Sequence, residues 1–175
     1  RSAPGYPLSF AALGDRLVVN DDIFDWTDLP RRVAVFGPGV IGLELGQALH
    51  RLGVEVLMFG IDGIVGPLTD PGVREAARAA FAAEFYLDPN AAVHGMERTE
   101  LGVRLNYRHL DGHDATADVD YVIAATGRRP NLAGLGLDAT SLPLDALGVP
   151  QFDPETLQVG ASHVFIAGDV TNDRP

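Results

Sequence analysis

Over the first thirty residues, "RSAPGYPLSFAALGDRLVVNDDIFDWTDLP", apolar positions follow neither the helical period nor strand alternation, and Gly, Pro and Asp are frequent. This predicts a connecting arm, residues 1–29, carrying one short strand at Leu17 to Val19. The pattern sharpens at "RRVAVFG", where Val33, Ala34, Val35 and Phe36 stand side by side, as in a central strand covered on both faces. From Val40 the period changes. Ile41, Leu45, Ala48, Leu49 and Leu52 fall on one face of a predicted helix that stops at Gly53. "VEVLMF" follows as a second buried strand, which completes a strand, glycine turn, helix and strand, a βαβ unit of right-handed sense.

Asp70 and Pro71 then supply an N-cap and a first-turn proline for "GVREAARAAFAAEF", a second helix with Val73, Ala77, Ala80 and Phe81 facing inward. Beyond Pro89 the chain reads as short strands, "AAVHGM", "GVRLNYRHL" and "ADVDYVIAAT", with Asp111-Gly112 as a hairpin signal. The tail, "LGVPQFDPETLQVGASHVFIAGDV", predicts further short strands joined by loops, and no internal repeat is present.

Composition narrows the function classes. The 175 residues carry a net charge of -11 and no Lys, which disfavours nucleic acid and anionic membrane as partners. A 46% hydrophobic content suits a globular domain, and no apolar run reaches the ~20 residues of a membrane span. No signal peptide opens the chain, so a cytoplasmic protein is the expectation. Zero Cys excludes a disulfide framework, a Cys-ligated zinc and a thiol nucleophile within these residues. Arg1 is no initiator, and "VTNDRP" follows directly on an apolar run, so the chain reads as a fragment of a longer protein.

The turn between the first strand and helix, "GPGVIG", has the G-x-G-x-x-G spacing of a dinucleotide-binding loop, and it stands in the required βαβ context. Gly37 lets the chain leave the strand sharply, Gly39 leaves no Cβ where a pyrophosphate approaches, and Gly42 allows helix and strand to pack closely. The N–H groups that open the helix, around Val40 and Ile41, would face the phosphates, while Pro38 gives up one N–H. The acidic residue expected at the end of the second strand, where it accepts from the adenosine ribose, is replaced by Gly60. Losing that charged acceptor costs roughly 1.5–3 kcal/mol, about tenfold to a hundredfold in affinity. The following residues, Ile61, Asp62 and Gly63, bring no Arg for a 2′-phosphate, so discrimination between NAD and NADP is expected to be weak, with Asp62 as a substitute acceptor.

Three stretches, in order and spacing, resemble the flavin-dependent pyridine nucleotide-disulfide oxidoreductases, and within them the dihydrolipoamide dehydrogenase branch: "GPGVIGLELGQALHRLGVEV", "DYVIAATGRRPNLAGLGLD" and "VFIAGDV". The likeness implies an FAD/NAD(P)-binding fold, with a Rossmann-type parallel sheet and an inserted antiparallel β-meander before a returning strand at Tyr121 to Ala125. It assigns residues 30–127 to an NAD(P)-binding domain and 128–175 to a segment returning to the FAD domain. By the resemblance Glu44 lies beside the nicotinamide, Val93 near the adenine, Gly127 near the nicotinamide half, and Asp169 accepts from the ribityl chain of FAD.

The family's FAD fingerprint, redox-active Cys pair and His-Glu base are absent from these residues. The expectation is therefore an inactive piece of a homodimeric enzyme that passes electrons between NAD(H), FAD and a small dithiol or lipoyl substrate. The alternatives are an NADH oxidase or a ferredoxin or rubredoxin reductase of the same architecture, or a non-catalytic NAD(H)-sensing module. His109 and His113 straddle the Asp111-Gly112 turn and are expected to face solvent rather than hold a metal.

Overall fold

The computed structural model describes residues 3–132 and 134–171. In chain order the strands are β1 (Ala3–Pro4), β2 (Leu17–Val18), β3 (Arg32–Phe36), β4 (Glu55–Phe59), β5 (Tyr86–Asp88), β6 (Val93–Arg98), β7 (Val103–Arg108), β8 (Asp114–Val119), β9 (Tyr121–Ala124) and β10 (Arg128–Arg129). The helices are α1 (Val40–Arg51) and α2 (Pro71–Ala82), and short 3-10 turns fill several connections. The chain divides into two compact units. One is Gly5–Gly127, and the other joins Ala3–Pro4 to the stretch from Arg128 onward.

The first unit is built on a five-stranded sheet of order β2-β9-β3-β4-β5, parallel at every pairing. Successive residues of a strand point to opposite faces, and here both faces are covered. Val33, Val35, Met58, Leu87 and Ile123 join Leu43 and Leu49 of α1 in one apolar cluster. Ala34, Leu57, Phe59, Val122 and Ala124 join Val103, Leu105, Tyr107, Ala117 and Val119 in another. That second cluster is the seam between the parallel sheet and an antiparallel meander of order β6-β7-β8. The fold is thus a Rossmann-type parallel sheet with helices on one face and the inserted meander on the other.

Residues 5–29 are tied in at few points, which accounts for their lack of period. Phe10, Leu13 and Val18 are buried, and β2 adds an edge strand to β9, Leu17 opposite Val122. The helices differ from their expected faces. In α1 the fully buried positions are Gly42, Leu43, Gly46 and Leu49, whereas Ile41 and Leu45 are half-buried and Ala48 and Leu52 exposed. Close approach decides this, because a Cβ at Gly46 would stand 2.5 Å from Met58 Cε and 3.6 Å from Val56 Cγ1. α2 begins as expected, with Asp70 Oδ1 accepting from the Val73 N–H at 2.9 Å and Pro71 in the first turn. It buries no residue completely. Ala77 and Phe81 pack on the helix-side cluster, while Val73 and Ala80 face solvent because α2 covers only the β5 margin of the sheet.

The run "ADVDYVIAAT" forms two strands in two sheets rather than one. Asp120 is the crossing point: its Oδ2 accepts from the N–H groups of Arg31 at 2.7 Å and Arg32 at 2.9 Å, and its own N–H donates to the Arg32 carbonyl at 2.9 Å. One carboxylate thereby fixes where the meander ends and where β3 and β9 begin. Along β7, Val103, Leu105 and Tyr107 point inward, while Arg104 and Arg108 pair outward with Asp118 and Asp114. Among the described residues of the second unit the expected short strands reduce to β1 paired with β10 and two antiparallel bridges, Leu144 with Pro150 and Gln158 with Phe165. Asp145 and Asp153 close the turns there by accepting from backbone N–H groups two to four residues ahead.

Replacing Asp120 by Ala removes a charged acceptor from two backbone donors and is expected to lower stability by about 2 kcal/mol, measured by denaturant unfolding. Tyr86 supplies a second check at alkaline pH. Burial, with Asp88 and Tyr107 adding, pushes its phenol up to about 12. The raised value means that its contribution is complete below the ordinary phenol range near 10 and is lost as pH rises toward 12. Ultraviolet titration is expected to show a late ionisation that Tyr86→Phe removes.

Candidate functional site

At the carboxyl end of β3 the backbone leaves the strand through Gly37, with φ at +103° and its N–H donating to the Phe59 carbonyl at 2.8 Å. A Cβ on Gly37 would fall on the Ala125 carbonyl and within 3.1 Å of Thr126 Cα. Both the left-handed conformation and the lack of space therefore demand glycine. A Cβ on Gly42 would strike the Gly37 carbonyl and stand 3.3 Å from Ala125 Cβ, so the first turn of α1 sits directly on the loop it follows. Gly39 is different. It is the N-cap of α1, no side chain caps the helix, and nothing lies within 4 Å of an ideal Cβ there. The opening amides of a helix have no acceptor one turn earlier and attract negative charge, so this end suits an anion brought in over Gly39.

The turn also lies at a topological switch point. From β3 the chain moves through α1 to β4 on one side, while β9 lies on the other, and the crevice beyond the carboxyl ends of such strands is where open α/β sheets take ligands. Gly127, two residues beyond Ala125, has φ at +114° and no neighbour within 4 Å of a Cβ. Its carbonyl accepts from the Gly5 N–H at 3.0 Å, and Thr126 Oγ1 donates to the Gly5 carbonyl at 2.5 Å.

Next to this turn Pro38 is buried, and its carbonyl accepts from the Gly66 N–H at 2.7 Å. Gly60 follows β4 and is also buried, with its N–H on the Asp88 carbonyl at 2.8 Å and its carbonyl taking the Ala91 N–H at 2.9 Å. Asp88, buried at the end of β5, accepts the Asn90 N–H on Oδ1 at 2.9 Å and shapes the same turn. Asp62 is exposed with φ at +58°.

The structure therefore gathers Gly37, Pro38, Gly39, Gly42, Gly60 and Gly127 around one end of the sheet. Val40 is exposed and Ile41 half-buried at the helix start. Glu44, one turn along, is exposed, and its carboxylate makes no hydrogen bond or ion pair among the described residues. Val93 opens β6 two residues after Ala91, pairs with Tyr107 and packs against the seam between the sheets. Asp169 begins a 3-10 turn, Asp169–Thr171, and its side chain lies outside the described residues. Sequence reading missed Ala125, Thr126 and Gly66. Ala125 and Gly66 act through backbone atoms and Thr126 through its hydroxyl, and for Ala125 and Thr126 the signal was the small-residue run before Gly127.

Elsewhere, His109 and His113 stack at 4.9 Å on either side of the hairpin, and Asp111 Oδ1 meets both, at 3.1 Å from His109 Nδ1 and closer to His113 Nδ1. The His113 backbone N–H, followed by the two imidazoles, holds Asp111 below the usual carboxylate range. His109 is half-buried against Tyr86 at 5.2 Å, and only His113 lies open as expected. An open cavity of 410 Å³ lined by His50, Glu55, Glu84 and Tyr86 lies at the amino end of β4, the strand's other end from Gly60.

Residues 3–175 match the family described as pyridine nucleotide-disulphide oxidoreductase. Similar curated proteins include the dihydrolipoyl dehydrogenase of Chlamydia pneumoniae, 29% identical over 98% of this chain and 35% of that protein. Mercuric reductase of Shigella flexneri is 34% identical over 82% of this chain and 25% of its own length. The chain thus spans about a third of the length of the dihydrolipoyl dehydrogenases it matches. Among solved structures, LpdA of Mycobacterium tuberculosis superposes with a TM-score of 0.79 at 26% identity, covering 99% of this chain and 37% of that one. The flavoprotein disulfide reductase RclA of Escherichia coli shares the fold, with a TM-score of 0.82 at 20% identity over 99% of this chain and 38% of that one.

Because Gly42 presses on the Gly37 carbonyl, Gly42→Ala is expected to destabilise the chain by about 3 kcal/mol. Thermal unfolding checks this, and wild-type stability in the variant would contradict the packing described.

Proposed function

The chain belongs to the pyridine nucleotide-disulphide oxidoreductase family, and from that premise we propose that residues 30–127 are the NAD(P)-binding domain of a longer flavoprotein. In this reading residues 1–29 are the arm from its FAD domain and 128–175 the segment that returns to it. The observation that carries the reading is the contrast among three glycines. Gly37 and Gly42 have no room for a Cβ, whereas Gly39 has open space in front of a helix start that no side chain caps. A tight turn without a ligand accounts for the first two but leaves the third without a purpose.

On binding, the nicotinamide would supply or take up a hydride and FAD would relay the electrons. This chain's own groups would bind and orient. The opening amides of α1 would hold the pyrophosphate, aided by the helix dipole. Val93 would border the adenine, and Gly127 would let the backbone pass close to the nicotinamide half. Glu44, whose carboxylate is free of other partners among the described residues, would position the nicotinamide, and Asp169 would accept from the ribityl chain of FAD. NAD(H) is the favoured nucleotide, with NADP accepted, and Asp62 would tilt the balance toward NAD.

The parent activity we propose is electron transfer between NAD(H), FAD and a dithiol or lipoyl disulfide, as in a homodimeric, dihydrolipoamide dehydrogenase-like enzyme. With no Cys among these 175 residues, the thiols would come from elsewhere in that protein, and this piece alone would not turn over a disulfide. The identity shared with mercuric reductase supports a second reading, in which the same electron path ends on a metal ion.

Gly39→Val tests the dinucleotide site with little risk to the fold, since its backbone is extended and nothing lies near the new side chain. Titration of the chain with NADH, followed by fluorescence, is expected to saturate for wild type and to weaken at least tenfold in Gly39→Val at unchanged Tm. Equal binding by the variant, or no binding by wild type, overturns the proposal. Asp62→Ala is expected to weaken NADH and to leave NADPH unchanged or improved.

A further inference from the structure

We infer that Pro38 and Gly60 form one steric unit that keeps any side chain off residue 60, the usual place of the ribose-binding acid, so that this chain separates NAD from NADP by no more than about tenfold. The ribose assignment rests on the dinucleotide reading above. The steric unit itself does not. A Cβ on Gly60 would stand 2.6 Å from Pro38 Cγ, 2.7 Å from Pro38 Cδ and 3.2 Å from Pro89 Cα. The proline ring therefore occupies the place into which any side chain at residue 60 would begin to grow.

Neither partner is free to give way. The ring closes on the proline's own backbone, and the Pro38 carbonyl is tied to Gly66 N–H at 2.7 Å, in a loop anchored by the buried Val65. Gly60 is held on both sides, by the Asp88 carbonyl at 2.8 Å and the Ala91 N–H at 2.9 Å. Its φ lies outside the left-handed region, so the backbone would accept another residue and the obstacle is contact alone.

The consequence falls on specificity. In dinucleotide folds a carboxylate at the end of the second strand accepts from the ribose 2′-OH, and a nearby Arg receives a 2′-phosphate. Pro38 forbids the first at residue 60, and Ile61, Asp62 and Gly63 do not supply the second. A charged hydrogen bond of this kind is worth about tenfold to a hundredfold in affinity, so its loss leaves NADH and NADPH within about tenfold of each other. The two positions must also change together: an acid at residue 60 is useful only after the ring at residue 38 has gone.

A cycle of Gly60→Ala, Pro38→Ala and the double variant, with Gly60→Glu and Pro38→Ala/Gly60→Glu added, separates the claims. Thermal unfolding is expected to show a loss of Tm for Gly60→Ala in the wild-type background that shrinks by at least half in the Pro38→Ala background. Fluorescence titration is expected to give wild-type dissociation constants for NADH and NADPH within about tenfold, and a preference for NADH at least tenfold stronger in Pro38→Ala/Gly60→Glu than in Pro38→Ala. Additive effects on Tm overturn the steric unit. A Gly60→Glu variant that gains the same NADH preference while Pro38 is present overturns the specificity claim. A wild-type chain that binds neither nucleotide overturns the dinucleotide reading and the ribose assignment with it, while the Tm cycle still confirms or overturns the contact between Pro38 and Gly60.

Discussion

A parallel sheet leaves no face for water, and most of this structure is the means by which both faces of one sheet are covered. The residues of β3 divide between two clusters, Val33 and Val35 toward α1 and Ala34 toward the meander. Each fully buried Val or Leu in such a strand is worth roughly 1.5–3 kcal/mol, so losing either cover would expose a large part of the core. The meander is therefore a wall of the domain rather than an appendage. Val103, Leu105 and Tyr107 form its inward row, and Tyr107 meets Phe59 and Tyr86 in a chain of aromatic contacts that runs from Phe10 and Phe36 to His109.

Covering the other face with α1 demands close approach, and close approach creates the candidate site. Gly46 admits Met58 beneath the helix, and Gly42 brings the first turn onto Gly37. A helix drawn down in this way starts immediately after the carboxyl end of β3, with no side chain capping its first turn. The packing requirement is thus met by Gly37, Gly42 and Gly46, which lie at the turn and along the buried side of the helix. Gly39 stands apart, because packing places nothing against it.

Charge serves a different purpose. Asp120 uses its carboxylate on backbone N–H groups to end one sheet and start another, while the Arg–Asp pairs along β7 and β8 lie exposed, where such pairs contribute little to stability. Glu84 ties Gln47 and Arg51 of α1 to the segment after α2, and the Arg51 guanidinium, followed by Gln47, keeps its carboxyl below the usual range.

The βαβ unit, the cap at Asp70, the hairpin at Asp111-Gly112 and the glycine turn were legible from the chain alone, since each depends on neighbours within a few residues. Runs of apolar residues without alternation announced a sheet covered twice, because burial on both faces removes any need for polar positions. What covered each face was decided only by tertiary packing. The inward side of α1 was misread because glycines, which carry no hydrophobic signal, are what close contact selects. The division of "ADVDYVIAAT" at Asp120 was hidden because its acceptors' partners, Arg31 and Arg32, lie 89 and 88 residues away. Gly60 could be seen in the sequence as the place of a missing acid, but the reason stands twenty-two residues earlier in the ring of Pro38, and sequence alone carries no distance between them.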